Sequence, residues 1–99
     1  MARLDRDGLL ASAMTALSAV PDPEGISDLV GSKGHINVAA SQAEASTAIR
    51  RFAKVQGYRW VVINAGDLFA VSPLTMSTKV GILDQTGRVL KNADLPRPK

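Results

Sequence analysis

Apolar residues recur at three- and four-residue steps near the start of the chain, at Leu9, Leu10, Ala13, Met14, Leu17 and Val20. This spacing predicts an amphipathic helix over residues 5–20. Asp5 or Asp7 can cap its free N–H groups, and Pro21 and Pro23 stop it. Ile26, Leu29 and Val30 predict a short second helix over residues 24–33, bracketed by Gly31 and Gly34. Ile36 and Val38 then alternate with Asn37, which fits a short strand or an extended turn at residues 35–39. The strongest helical signal covers residues 41–56. Ser41 is a good N-cap, and Glu44, three residues on, completes a capping box. Ala45, Ile49, Phe52 and Ala53 form its buried stripe, and Gly57 ends it.

Strand signals follow. Arg59-Trp60-Val61-Val62-Ile63 is rich in branched and aromatic residues. With Asn64-Ala65-Gly66-Asp67 as a turn and Leu68-Phe69-Ala70-Val71 as the return strand, it predicts a β-hairpin over residues 58–72, closed by Pro73. Lys79-Val80-Gly81-Ile82-Leu83 and Arg88-Val89-Leu90-Lys91 predict a second hairpin around the turn Asp84-Gln85-Thr86-Gly87. The last residues carry Pro96 and Pro98 and no apolar stripe. Residues 1–91 thus read as one α+β domain and residues 92–99 as a flexible tail. The expected architecture is N-terminal helices plus a central helix, packed on an antiparallel sheet of hairpins.

Composition narrows the classes. A chain of 99 residues supports one core and not two. There is no cysteine, which removes disulfides, thiolate nucleophiles and cysteine-held metals together and fits a reducing, cytoplasmic setting. No apolar run approaches the roughly 20 residues that a membrane helix needs. Arg3 and Arg6 precede the apolar stretch as in a secretory leader. However, Asp5 and Asp7 share that leader, and Ser12, Thr15 and Ser18 interrupt the run, so it reads as an ordinary amphipathic helix. The net charge of +3 permits contact with phosphates or an acidic partner and specifies neither.

Catalytic sets are missing from the sequence. His35 is the one histidine, and no serine stands in a nucleophile-elbow context. Scattered acids and one histidine do not make a metal site. The acids fall where caps and turns want them: Asp5, Asp7, Glu24 and Glu44 at helix starts, Asp67 and Asp84 in turns. Gly31-Ser32-Lys33-Gly34 shares residue types with a phosphate loop, but its lysine follows the serine, and it reads as a helix C-cap. No catalytic residue, cofactor or metal is assigned, and the chain reads as a non-catalytic binding protein.

The helix over residues 41–56 carries the contact candidates. With Ile49 and Phe52 inward, Gln42, Thr47, Arg50, Arg51 and Lys54 project outward, and such cations can reach phosphates or read guanine. Residues 41–52, SQAEASTAIRRF, resemble the recognition helix of winged helix-turn-helix DNA-binding domains. Gly57-Tyr58 resembles the turn after that helix, residues 59–71 the wing, and residues 26–30 the supporting helix. The resemblance covers residues 5–72. It implies a DNA-binding transcription regulator, with Arg59 and Lys79 touching the DNA backbone. The competing architecture takes residues 35–39 as a true strand. It implies a protein-binding adaptor or inhibitor of the kind phages and plasmids encode, acting through sheet and hairpin surfaces. Pairing of residues 35–39 in the sheet favours the second reading, and a turn there favours the first.

Overall fold

The computed structural model describes residues 3–95. In chain order it contains α1 (Arg6–Leu17), β1 (Val20–Pro21), β2 (Leu29–Gly31), β3 (Gly34–Val38), α2 (Gln42–Arg50), β4 (Arg59–Val62), α3 (Leu68–Val71), β5 (Gly81–Leu83) and β6 (Val89–Lys91). Short 3-10 segments, Ala65–Asp67 and Ser72–Thr75, flank α3. The six strands form one open sheet in sequence order. β3, β4 and β5 run parallel, and the other neighbours are antiparallel. The α+β class therefore holds, with a mixed sheet where an antiparallel one was expected. Parallel neighbours need a crossover connection. Here α2 makes the first crossover and α3 with its flanking turns makes the second.

Helices cover both faces of the central strands. Leu9 and Ala13 of α1 pack on Leu29, Ile36, Val38, Trp60, Val62 and Leu83. Ala45, Ala48 and Ile49 of α2, with Phe52 and Val71, pack on Val61, Ile63 and Ile82 from the other side. Alternate residues of β4 thus serve opposite cores, which is why Trp60-Val61-Val62-Ile63 is apolar without a break. Phe52 is wholly buried. Truncating it to alanine is expected to cost about 3 to 5 kcal/mol.

Several elements depart from expectation, each for a local reason. Residues 24–33 form no helix. Asp22 holds the backbone N–H groups of Glu24 and Ser27 at 2.9 and 3.0 Å, so a turn forms and Leu29 enters the sheet. Gly31-Ser32-Lys33-Gly34 is then the tight turn between β2 and β3. Gly34 has a φ of 113°, and a Cβ there would strike the Tyr58 carbonyl. Residues 34–38 pair on both sides, with β2 and with β4, which meets the strand criterion set above. The hairpin over residues 58–72 is also absent, because Leu68–Val71 is helical. Phe69 and Val71 would share a face in a strand, yet Phe69 is 91% exposed and Val71 is buried. α2 keeps the expected cap, with Ser41 Oγ accepting from Glu44 N at 3.1 Å, but it ends at Arg50 and leaves Ala53 exposed. The second hairpin forms as expected. Of the expected flexible tail, Asp94 N donates to the Lys79 carbonyl at 3.0 Å, and residues 96–99 lie outside the described residues. Among the described residues, no helix is long and apolar enough to cross a membrane.

Candidate anion-binding groove

A helix end leaves its last carbonyls without partners. At the end of α2 each finds one. Thr47 O accepts from Arg51 N at 3.0 Å, and Ala48 O accepts from the buried Asn37 side chain at 3.0 Å. Ile49 O and Arg50 O accept from Phe52 N and Ala53 N. Phe52 O, one turn on, accepts from Arg59 Nη1 at 3.2 Å. Arg59 opens β4, and its Nη2 donates to the Thr78 carbonyl at 2.6 Å. One guanidinium therefore ties the end of α2 to the loop before β5.

These elements enclose a groove of about 560 Å³. Its apolar part comes from Ile49, Ala53 and Leu74. Hydroxyls come from Ser46, Ser77 and Thr78, and cations from Arg50, Arg59 and Lys79. Among the described residues, no carboxylate lines it. The loop is strained: Ser77 and Lys79 have φ values of 67° and 64°, a left-handed conformation costly for residues with a Cβ.

Arg59 sets the electrostatics. It is only 5% exposed, and no salt bridge reaches it among the described residues. Burial lowers its pKa from the ordinary arginine value, yet a guanidinium stays charged at neutral pH. Its Nε is buried with no hydrogen-bond partner. Two carbonyl dipoles accept from it, but they bring no net negative charge. Buried charges are normally paired. Among the described residues, Lys79 pairs with Asp94, an exposed carboxylate at 3.8 Å. Arg50 is exposed.

The seven predicted contact residues thus divide. Arg50, Arg59 and Lys79 converge on the groove, although Arg59 is buried rather than presented to a partner's backbone. Thr47 and Arg51 line a second, smaller cleft of about 280 Å³. There Asp28 pairs with both Arg51, at 3.1 Å, and Arg6, at 2.9 Å. Gln42 is exposed on the first turn of α2, and Lys54 is exposed just beyond its end. The groove residues Leu74, Ser77 and Thr78 escaped sequence reasoning. Nothing in a polar connection marks a positive φ at serine and lysine.

His35 lies half-buried on β3. Its Nδ1 lies 3.0 Å from Ser27 Oγ and 3.8 Å from Asp22. Ser27 is buried between the two, and its Oγ donates to the Leu29 carbonyl at 2.8 Å. In a nucleophilic relay the histidine stands in the middle. Here the serine does, as part of the turn that Asp22 organises. Comparison with family models, with curated proteins and with solved structures finds no match for this chain.

Proposed function

We propose that this chain is a non-catalytic binding protein that holds an anionic group of its partner in the groove between Arg50, Arg59 and Lys79. The observation that carries this reading is Arg59: a buried guanidinium with no carboxylate partner among the described residues and an unsatisfied Nε. An oxyanion entering beside Arg50 and Lys79 supplies both a counter-charge and an acceptor. Charge-assisted hydrogen bonds of this kind are about twice as strong as neutral ones. The strained loop is consistent with a preformed site, since backbone strain clusters where ligands are held.

Titration with inorganic phosphate at low ionic strength, followed by isothermal calorimetry, tests the proposal. A bare phosphate touching two or three cations is expected to bind in the millimolar range, which is about −4 kcal/mol. The double variant Arg50→Ala/Lys79→Ala should abolish the heat while leaving the fold intact. No heat with the wild-type protein defeats the proposal.

The DNA-binding reading keeps one supporting observation: Gln42, Ser46 and Arg50 form an i, i+4, i+8 stripe that ends near Lys54, all on the outer side of α2. It requires duplex affinity that falls steeply with salt and is lost in Gln42→Ala/Arg50→Ala.

A further inference from the structure

Beside the groove lies a feature that anion binding does not use. α3 and the following 3-10 turn, residues 68–76, carry no charged residue. Val71 and Thr75 of this run are buried, and Leu74 faces the groove. The opposite side presents Phe69 at 91% exposure and Met76 at 66%, with the exposed Pro73 between them. A phenylalanine so fully in solvent, on a helix with a methionine one or two turns away, forms an apolar ridge. Aromatic residues and methionine are enriched in protein interfaces. Met76 stands between Leu74 and Ser77, both groove residues, so the ridge runs into the groove rim. Helical rise puts Phe69 and Met76 on the order of 12 Å apart, a span that about four extended residues cover.

We infer that the partner is a protein segment, acidic with apolar anchor side chains, lying with its carboxylate in the groove and its anchors on the Phe69–Met76 ridge. This rests on the groove taking an anion and adds the class of the partner. The charge distribution selects protein over nucleic acid. A strand of nucleic acid carries a charge on every nucleotide and is tracked by cations along its path, whereas the ridge offers none over nine successive positions. An acidic segment with apolar anchors matches both halves of the surface.

The test uses the full chain and labelled synthetic peptides in fluorescence anisotropy. One peptide alternates glutamate with leucine and phenylalanine. The second carries the same glutamates with serine in place of the apolar residues. Oligothymidylate is the third probe, and inorganic phosphate is run alongside. The amphipathic peptide is expected to bind at least about tenfold tighter than the serine peptide, since one buried apolar side chain accounts for that factor. Phe69→Ser/Met76→Ser should erase the difference. Equal affinities for the two peptides, with phosphate still bound, overturn the inference and leave the groove reading standing. Loss of all binding, phosphate included, overturns the groove reading itself. Tighter binding of oligothymidylate overturns the choice of protein. Self-association in sedimentation that Phe69→Ser abolishes, with the amphipathic peptide unable to compete, makes the ridge a contact between copies and also overturns the inference.

Discussion

Lys79 holds a left-handed φ of 64° and at the same time lines the groove. Replacing it separates backbone strain from charge. Lys79→Ala removes the ammonium and keeps the strain, whereas Lys79→Gly removes both. The left-handed conformation costs an L-residue roughly 1 to 2 kcal/mol. Glycine's extra freedom in the unfolded chain takes back about 0.5 to 1 kcal/mol. Glycine should therefore leave the fold about 0.7 kcal/mol more stable than alanine does. For a domain of this size that is about 3 to 5 °C in Tm. The lost pair with Asp94 is common to both variants, and at 3.8 Å on the surface it is worth under about 1 kcal/mol. Chemical denaturation gives the stabilities, and phosphate titration gives the affinities. The two variants should differ in stability and lose phosphate affinity equally. If Lys79→Ala is as stable as Lys79→Gly or more so, the loop is not strained as described. If the two bind phosphate differently, the loop conformation rather than the ammonium carries recognition.

Arg59→Met should destabilise the fold by about 1 to 2 kcal/mol in urea denaturation, because it leaves the Thr78 carbonyl without its donor, while Phe52 O keeps the Val55 N–H and removal of a buried charge offsets part of the loss. Arg59→Lys should not restore stability, since a single ammonium cannot span both carbonyls. Asp22 and Asp84 both sit below the ordinary carboxyl value of 3.8. For Asp22 the Glu24 and Ser27 amides hold it there. For Asp84 burial pushes upward, but bonds from Thr86 and Arg88 outweigh it. Each depressed carboxylate adds stability above its unfolded pKa, and that stability is lost as pH falls through the folded value. Thermal stability should thus fall below about pH 4, with Asp84→Asn flattening that acid limb. Asn64 exchanges two hydrogen bonds of 2.9 Å with the Leu4 backbone, so Asn64→Ala should cost about 1 to 3 kcal/mol and release the Leu4 amide to fast hydrogen exchange. Phe69→Ser should leave stability within about 0.5 kcal/mol, as expected for an exposed side chain.

Local chemistry was the part of the fold that could be read from sequence. The Ser41–Glu44 cap, the Asp5 cap, the 79–91 hairpin and the Leu9–Leu17 part of the α1 stripe all rest on contacts a few residues long, whereas Val20, expected at the end of that stripe, lies exposed in β1 after α1 stops at Leu17. The layout of the sheet rests on distant pairings. Trp60-Val61-Val62-Ile63 reads equally as half of a hairpin or as a parallel strand buried on both faces, and only α1 and α2 packing on opposite sides decide between them. Leu68-Phe69-Ala70-Val71 is too short for its period to separate strand from helix. Residues 26–30 carry helical spacing, but Gly25 turns left-handed at a φ of 69°, and Leu29 and Val30 pair in the sheet on both sides. The groove shows the same division. Arg50 was chosen from sequence as an outward cation of the helix, and Arg59 and Lys79, both beyond it, as the backbone contacts that the resemblance implies. Their convergence comes from β4 and β5 lying side by side, and the burial of Arg59 comes from carbonyls that no motif announces.

The claim that the groove is built for an anion rests on one N–H, and that group can be watched directly. The Arg59 Nε–H resonance in a ¹⁵N–¹H correlation spectrum, followed through a phosphate titration at constant ionic strength, reports whether the orphaned donor gains an acceptor. A saturable downfield shift is expected, with amide shifts confined to residues 49–54 and 77–80 and with no response to matched chloride. An unmoved Arg59 signal, or shifts centred instead on Arg6 and Arg51, would contradict it.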